Sequence, residues 1–195
     1  MPDAREAARI VERALDDAIA LHRTVRERDV TAVVRAAETI RASYAAGGKV
    51  LAFGNGGSAA DAQHLAAELV GRFERNRVAL PAMALSSDPS VVTSVANDEG
   101  FDRVFARQIE ALGRPGDVAF GISTSGESAN VVEAMRAASA RGLRTIALTG
   151  RGGGSLGAAA EVHINVPNDA AARVQEVHIT LIHAICRIVE AGTIE

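Results

Sequence analysis

The sequence is short of aromatic residues and of cysteine. Aromatics make up 3% of its 195 residues and tryptophan is absent, so the core must be built from Ala, Val, Ile and Leu. The lone Cys186 excludes an intrachain disulfide; it lies in an apolar run and reads as a buried thiol. No run of about 18 apolar residues occurs, so no transmembrane helix is expected. The opening residues, Met1-Pro2-Asp3-Ala4-Arg5-Glu6, are charged and lack the apolar stretch of a signal peptide. The expectation is a soluble, cytoplasmic protein. Long basic runs are missing too. Lys and Arg total 21 against 24 Asp and Glu, a net charge of −3, so neither nucleic acid nor a membrane is an expected partner. A phosphate ligand stays open, because Gly-rich loops bind phosphate through backbone N–H groups without net positive charge.

Between Asp3 and Ala46 there is no Gly and no Pro, and Ala, Arg and Glu abound, which favours helix. Val11, Leu15, Ala18, His22 and Val25 step by four and three and form one stripe. Asp29 can cap a second helix, with Val33, Ala36, Ala37, Ile40 and Tyr44 on its apolar face and Gly47-Gly48 at its end. Residues 1–46 therefore read as a helical arm that needs an oligomer contact to cover its stripe.

From Lys49 onward short apolar runs alternate with helical segments. Strands are expected at 50–53, 82–85, 118–122, 145–148 and 162–166, with helical segments from about 58, at 88–111, 127–141 and 170–191. This order predicts an α/β fold, a doubly wound five-stranded parallel sheet over residues 47–195. With strand order 2-1-3-4-5, the first and third strands meet at the switch point, where ligands bind.

Two loops end those strands. Gly54-Asn55-Gly56-Gly57-Ser58 is neither a P-loop nor a dinucleotide fingerprint, but its glycines and the following helix start suit an anion. A tight turn with Ser58 as N-cap also fits. Ser123-Thr124-Ser125-Gly126-Glu127-Ser128 brings four hydroxyls to another helix start, suited to a phosphate or to plain capping. On the helix after the first loop, His64 and Glu68 are four apart and share a face. In the last helical segment His178 and His183 are about 140° apart and should face different ways. His183 lies in the most apolar stretch, where a core histidine is the plain alternative.

Taken together, Gly54 to His64, Asn97-Asp98, Gly121 to Gly126, and Gln175-Glu176 with His178 and His183 closely resemble the bacterial phosphoheptose isomerases. The resemblance is collinear from the arm to about Glu190. It implies a sugar-isomerase (SIS) fold, a homotetramer with active sites at subunit interfaces, and no nucleotide cofactor. The implied reaction converts sedoheptulose 7-phosphate to D-glycero-D-manno-heptose 7-phosphate, the entry to nucleotide-activated heptose. By motif position Glu68 and His183 match the acid/base pair. Ser58, Ser123, Thr124, Ser125 and Ser128 match phosphate binders. Asn55, Gly56, Gly57, Asn97, Asp98 and Gln175 match further substrate contacts, and Glu68 counts among these also. His64, Glu68, Gln175 and His183 match a zinc site. Eight helical residues separate Gln175 from His183 by about 12 Å, so either the helix starts irregularly at Gln175 or two subunits supply the ligands. The sequence departs from the family at Ala170-Ala171-Ala172-Arg173-Val174, where relatives are more polar, and in the Gly-rich loop 151–155. The competing reading is a non-catalytic SIS domain that senses a sugar phosphate or binds a protein, as a replication-initiator partner related to this family does.

Overall fold

Each expected strand forms, and each sits in a parallel sheet of order β2-β1-β3-β4-β5. The strands are β1 (Val50–Gly54), β2 (Ala82–Ala84), β3 (Val118–Ser123), β4 (Arg144–Gly150) and β5 (Val162–Val166). The computed structural model describes residues 3–28 and 30–192. Asp29, expected to cap the second helix, lies outside the described residues.

The central strands are buried on both faces, which is why they read as unbroken apolar runs rather than alternating ones. Within β1 the alternation goes to two cores. Val50 and Ala52 pack on one side with Ile40, Leu65, Leu69 and Ile182. Leu51 and Phe53 pack on the other with Phe105, Ile109, Val131 and Met135. The first side is covered by α2 (Val30–Ala45), α3 (Gly57–Val70) and α8 (Ala171–Ala191). The second is covered by α4 (Pro89–Asp98), α5 (Ala106–Leu112), α6 (Ala129–Ala140) and the short α7 (Gly154–Ala158).

The two N-terminal helices have different fates. In α2, Val33, Ala36, Ala37 and Ile40 are buried against the sheet, and the Tyr44 hydroxyl donates to the Pro81 carbonyl at 3.2 Å. In α1 (Ala4–Arg28) only Leu21 and Val25 are buried, against α8 and β5. The stripe expected from the sequence is not covered within one chain, since Val11 and Leu15 are 58% and 59% exposed. The helical segment expected at 88–111 is three pieces. Asp88 caps α4 by accepting from the Ser90 and Val91 N–H groups, Pro89 fixes its first turn, and Gly100 at φ +96 breaks it before a 3-10 turn at Phe101–Arg103. The Gly-rich stretch expected as a loop contains α7.

Candidate active site

The loops after β1 and β3 leave neighbouring strands at the carboxyl edge of the sheet. The first turns directly into α3. Gly56, at φ +54, is the N-cap with no side-chain cap bond, so Ser58 is not the cap; it is the second helical residue and is buried. A Cβ on Gly54 would come within 2.8 Å of the Ile122 carbonyl and of Ser58, so only Gly allows this strand-to-helix crossing. In the second loop the hydroxyls converge. Ser123 Oγ lies 3.3 Å from Ser125 Oγ and 3.0 Å from Ser128 Oγ, and accepts the Gly126 N–H.

Asn130, in the first turn of α6, ties the loops together. Its side chain and that of Asn55 exchange two amide hydrogen bonds, at 2.8 and 2.9 Å. Sequence reasoning missed Asn130; its spacing from Asn55, 75 residues, carries no local signal. Glu127 was also missed as a strut. Its carboxylate accepts both the backbone N–H and the hydroxyl of Ser155 at 2.8 Å, and these bonds hold its pKa below the usual carboxylate range.

Farther along α3, which follows the first loop, α3 and α8 bring three candidate residues together. His64 Nε2 lies 2.9 Å from His183 Nε2 and 3.2 Å from Glu68 Oε1. One donor atom of each lies within 4.8 Å of the other two. Two ring nitrogens and a carboxylate oxygen make an N₂O donor set, which with an open position suits Zn²⁺. The residues present therefore fit the metal. His178, as expected, faces elsewhere: it is fully buried and its Nε2 meets the Thr149 carbonyl at 3.0 Å.

The Gln175 amide packs over Gly57, where any Cβ would collide with it. Helix α8 is regular from Ala171, so the irregular start expected at Gln175 does not occur. Asn97 and Asp98 stand exposed at the end of α4, with Asn97 Nδ2 donating to Asp98 Oδ1 at 2.7 Å rather than to either loop. Cys186 is buried as expected, and its thiol is pushed up to about 12 by burial and then by the Glu68 and Glu190 charges.

Two further buried groups near the site set opposing pH responses. Asp61 on α3 is 9% exposed with Oδ2 lacking any partner; burial raises it to about 6, against a smaller pull down from His64. Burial lowers His178 to about 4, opposed by its bond to Thr149. For Asp61 the folded state holds its proton longer than the unfolded chain, so stability falls as pH rises from about 4 to 6. For His178 the folded state gives up its proton earlier, so stability rises from about pH 4 to 6.5. Each effect is on the order of 3 kcal/mol, and in the wild type they largely offset. Asp61→Asn removes one of them. Urea unfolding should then show the variant gaining about 3 kcal/mol on the wild type between pH 4 and pH 7; a constant difference across that range would contradict the assignment.

A family model described as the SIS domain matches residues 15–150. The chain is 50% identical over 181 residues to a phosphoheptose isomerase of Roseiflexus sp. (strain RS-1), covering 93% of this chain and 92% of that protein. The solved phosphoheptose isomerase of Neisseria gonorrhoeae superposes with TM-score 0.90 at 46% identity, covering 95% of this chain and 99% of that one. That of Francisella tularensis superposes with TM-score 0.92 at 34% identity and the same coverage. With two loops meeting at the switch point, a His-Glu-His cluster between α3 and α8, and these likenesses over nearly the whole chain, the protein belongs to the phosphoheptose isomerase family of SIS-domain proteins.

Proposed function

We propose that this protein interconverts sedoheptulose 7-phosphate and D-glycero-D-manno-heptose 7-phosphate through an enediol. The observation that carries the reading is the convergence of the side chains of His64, Glu68 and His183, with one donor atom of each within 4.8 Å of the other two. Moving the carbonyl from C2 to C1 takes a proton off C1 and returns one to C2, while a hydroxyl proton passes from O1 to O2. Glu68 is the base on carbon. His183 serves the two oxygens as proton donor and acceptor. The two loops hold the phosphate at the far end, so remote binding energy fixes the reacting carbons against Glu68.

A zinc ion would be held by His64, Glu68 and His183, and would supply a Lewis acid to polarise the carbonyl. We assign Gln175 as a ligand or substrate contact from a second subunit, because its own helix carries it about 12 Å along the axis from His183. Asn97 and Asp98 reach a site in the same way, across an interface. A homotetramer also accounts for α1, on which Ile10, Val11, Leu15 and Ile19 are each more than half exposed. Nearer its end, Val25 lines an apolar groove of about 320 Å³ with Val33, Val177, Leu181 and Ile188. The single buried thiol suits a reducing cytoplasm. A non-catalytic sensor is not favoured, since it gives no reason for an acid/base pair to meet at the ligand loops.

The test is carbon NMR of sedoheptulose 7-phosphate with protein verified as tetrameric by sedimentation, as purified, with added zinc, and after chelation. New aldoheptose anomeric signals are expected, weakened by chelation. No conversion in any arm would remove the isomerase reading.

A further inference from the structure

Glu190 and Arg77 form an ion pair that the chemistry above does not use. Both side chains are 2% exposed, with Arg77 Nε donating to Glu190 Oε1 at 3.1 Å. Burying two charges is expensive, and apolar residues of the same volume are often at least as stable. The partners of this pair are therefore informative. Glu190 Oε1 accepts the Phe73 N–H at 2.7 Å, and Oε2 accepts those of Glu74 and Arg75 at 2.9 and 3.2 Å. Arg77 donates to the carbonyls of Glu68 at 2.7 Å, Leu69 at 2.9 Å and Val78 at 2.8 Å. The guanidinium thus closes the C-terminal turn of α3, where helix carbonyls lack partners and a cation is favoured. Burial pushes the Glu190 carboxyl up, but the three backbone donors and Arg77 outweigh it and hold it below the usual carboxylate range.

Those contacts end on the two acid/base residues. Glu68 belongs to the turn that Arg77 caps. Phe73, fixed through its own N–H, stacks on the His183 ring with centroids 5.2 Å apart and planes at 30°. Glu190 is seven residues beyond His183, two turns along the same face of α8. We infer that the Arg77–Glu190 pair is a positioning device: it holds Phe73 against His183, and the last turn of α3 in place, so that His183 Nε2 and the Glu68 carboxylate keep one mutual geometry. The inference rests on the isomerase reading of Glu68 and His183. No group of the clamp touches the loops that hold the phosphate, so it sets turnover rather than substrate affinity.

The experiment compares wild type, Glu190→Gln and Phe73→Leu in steady-state turnover of sedoheptulose 7-phosphate. Carbon–proton spectra of the same proteins, labelled with ¹³C-histidine, run alongside. In both variants kcat should fall about tenfold or more, since small misplacements of reacting groups are costly. KM should stay within about twofold. The His183 ring signal, displaced by the Phe73 ring current in the wild type, should move in both. Phe73→Leu keeps the ion pair and decides the matter if Glu190→Gln does not fold. A lowered melting temperature with kcat and the His183 signal unchanged in Phe73→Leu would make the pair a structural strut and overturn the inference. A rise in KM matching the loss of kcat would overturn it as well. If wild type itself shows no isomerisation, the functional reading falls, while the histidine signal still reports whether the clamp holds the ring.

Discussion

Glu68→Gln is expected to lower kcat about a thousandfold while sugar phosphate binding changes by no more than a few-fold. Gln has nearly the volume of Glu and keeps an oxygen for His64, which now stands 3.2 Å from Glu68 Oε1. What it loses is the ability to accept a proton from carbon, together with the carboxylate charge that would help hold a zinc ion. A general base contributes about 10²–10⁴-fold, and here no other carboxylate is in the cluster to replace it among the described residues. The binding side should persist, because Ser123, Ser125 and Ser128, the proposed phosphate contacts, lie on a different element. The measurement pairs a turnover assay with calorimetric titration of the substrate into the inactive variant. Full turnover in Glu68→Gln would dismiss Glu68 as the base. Loss of binding in step with activity would mean that the substitution had damaged the pocket. A sugar-phosphate sensor would show neither effect, so the same pair of measurements separates the two classes.

What the sequence made legible follows the range of each interaction. β1 and β3 are readable because strands buried on both faces need unbroken apolar runs; the edge strand β5, found at 162–166, is readable instead from the alternation of Val162, Ile164 and Val166 with His163 and Asn165. The switch-point loops followed from strand order, and His64 with Glu68 from helical spacing alone. Joining His183 to them took the family resemblance, because 119 residues separate it from His64. Asn130 and Phe73 were missed for the same reason. Neither belongs to a motif, and each acts on a partner more than 70 residues away. The α1 stripe was read correctly as apolar, but periodicity cannot say whether its cover is the same chain. The break at Gly100 was hidden because residues 88–111 keep helical composition on both sides of one positive-φ glycine.

Gly126→Ala should be the most damaging of the glycine substitutions in the ligand loops, raising KM about a hundredfold with a stability loss of about 2–4 kcal/mol. Two costs coincide there. Gly126 sits at φ +71, which alone costs an L-residue about 1–2 kcal/mol. Its added Cβ would also overlap the Gly153 carbonyl and meet Gly154 N at 3.0 Å. The loops cannot separate to make room, because Glu127 holds Ser155 by two bonds of 2.8 Å and the Leu156 N–H donates to the Gly126 carbonyl at 2.9 Å. The methyl must therefore displace the Ser123–Ser128 turn itself, and with it the hydroxyls assigned to the phosphate. Gly47→Ala, at the end of α2 and outside the ligand loops, is the control. Its φ of +79 also carries a backbone cost, but nothing lies within 4 Å of the new Cβ. It should lose only about 1–2 kcal/mol of stability and leave KM within a few-fold. Thermal unfolding and KM for sedoheptulose 7-phosphate, measured on both variants, test the pair. Equal stability losses would mean that backbone strain alone sets the cost at Gly126. A folded Gly126→Ala with wild-type KM would mean that the phosphate does not sit on the serine turn.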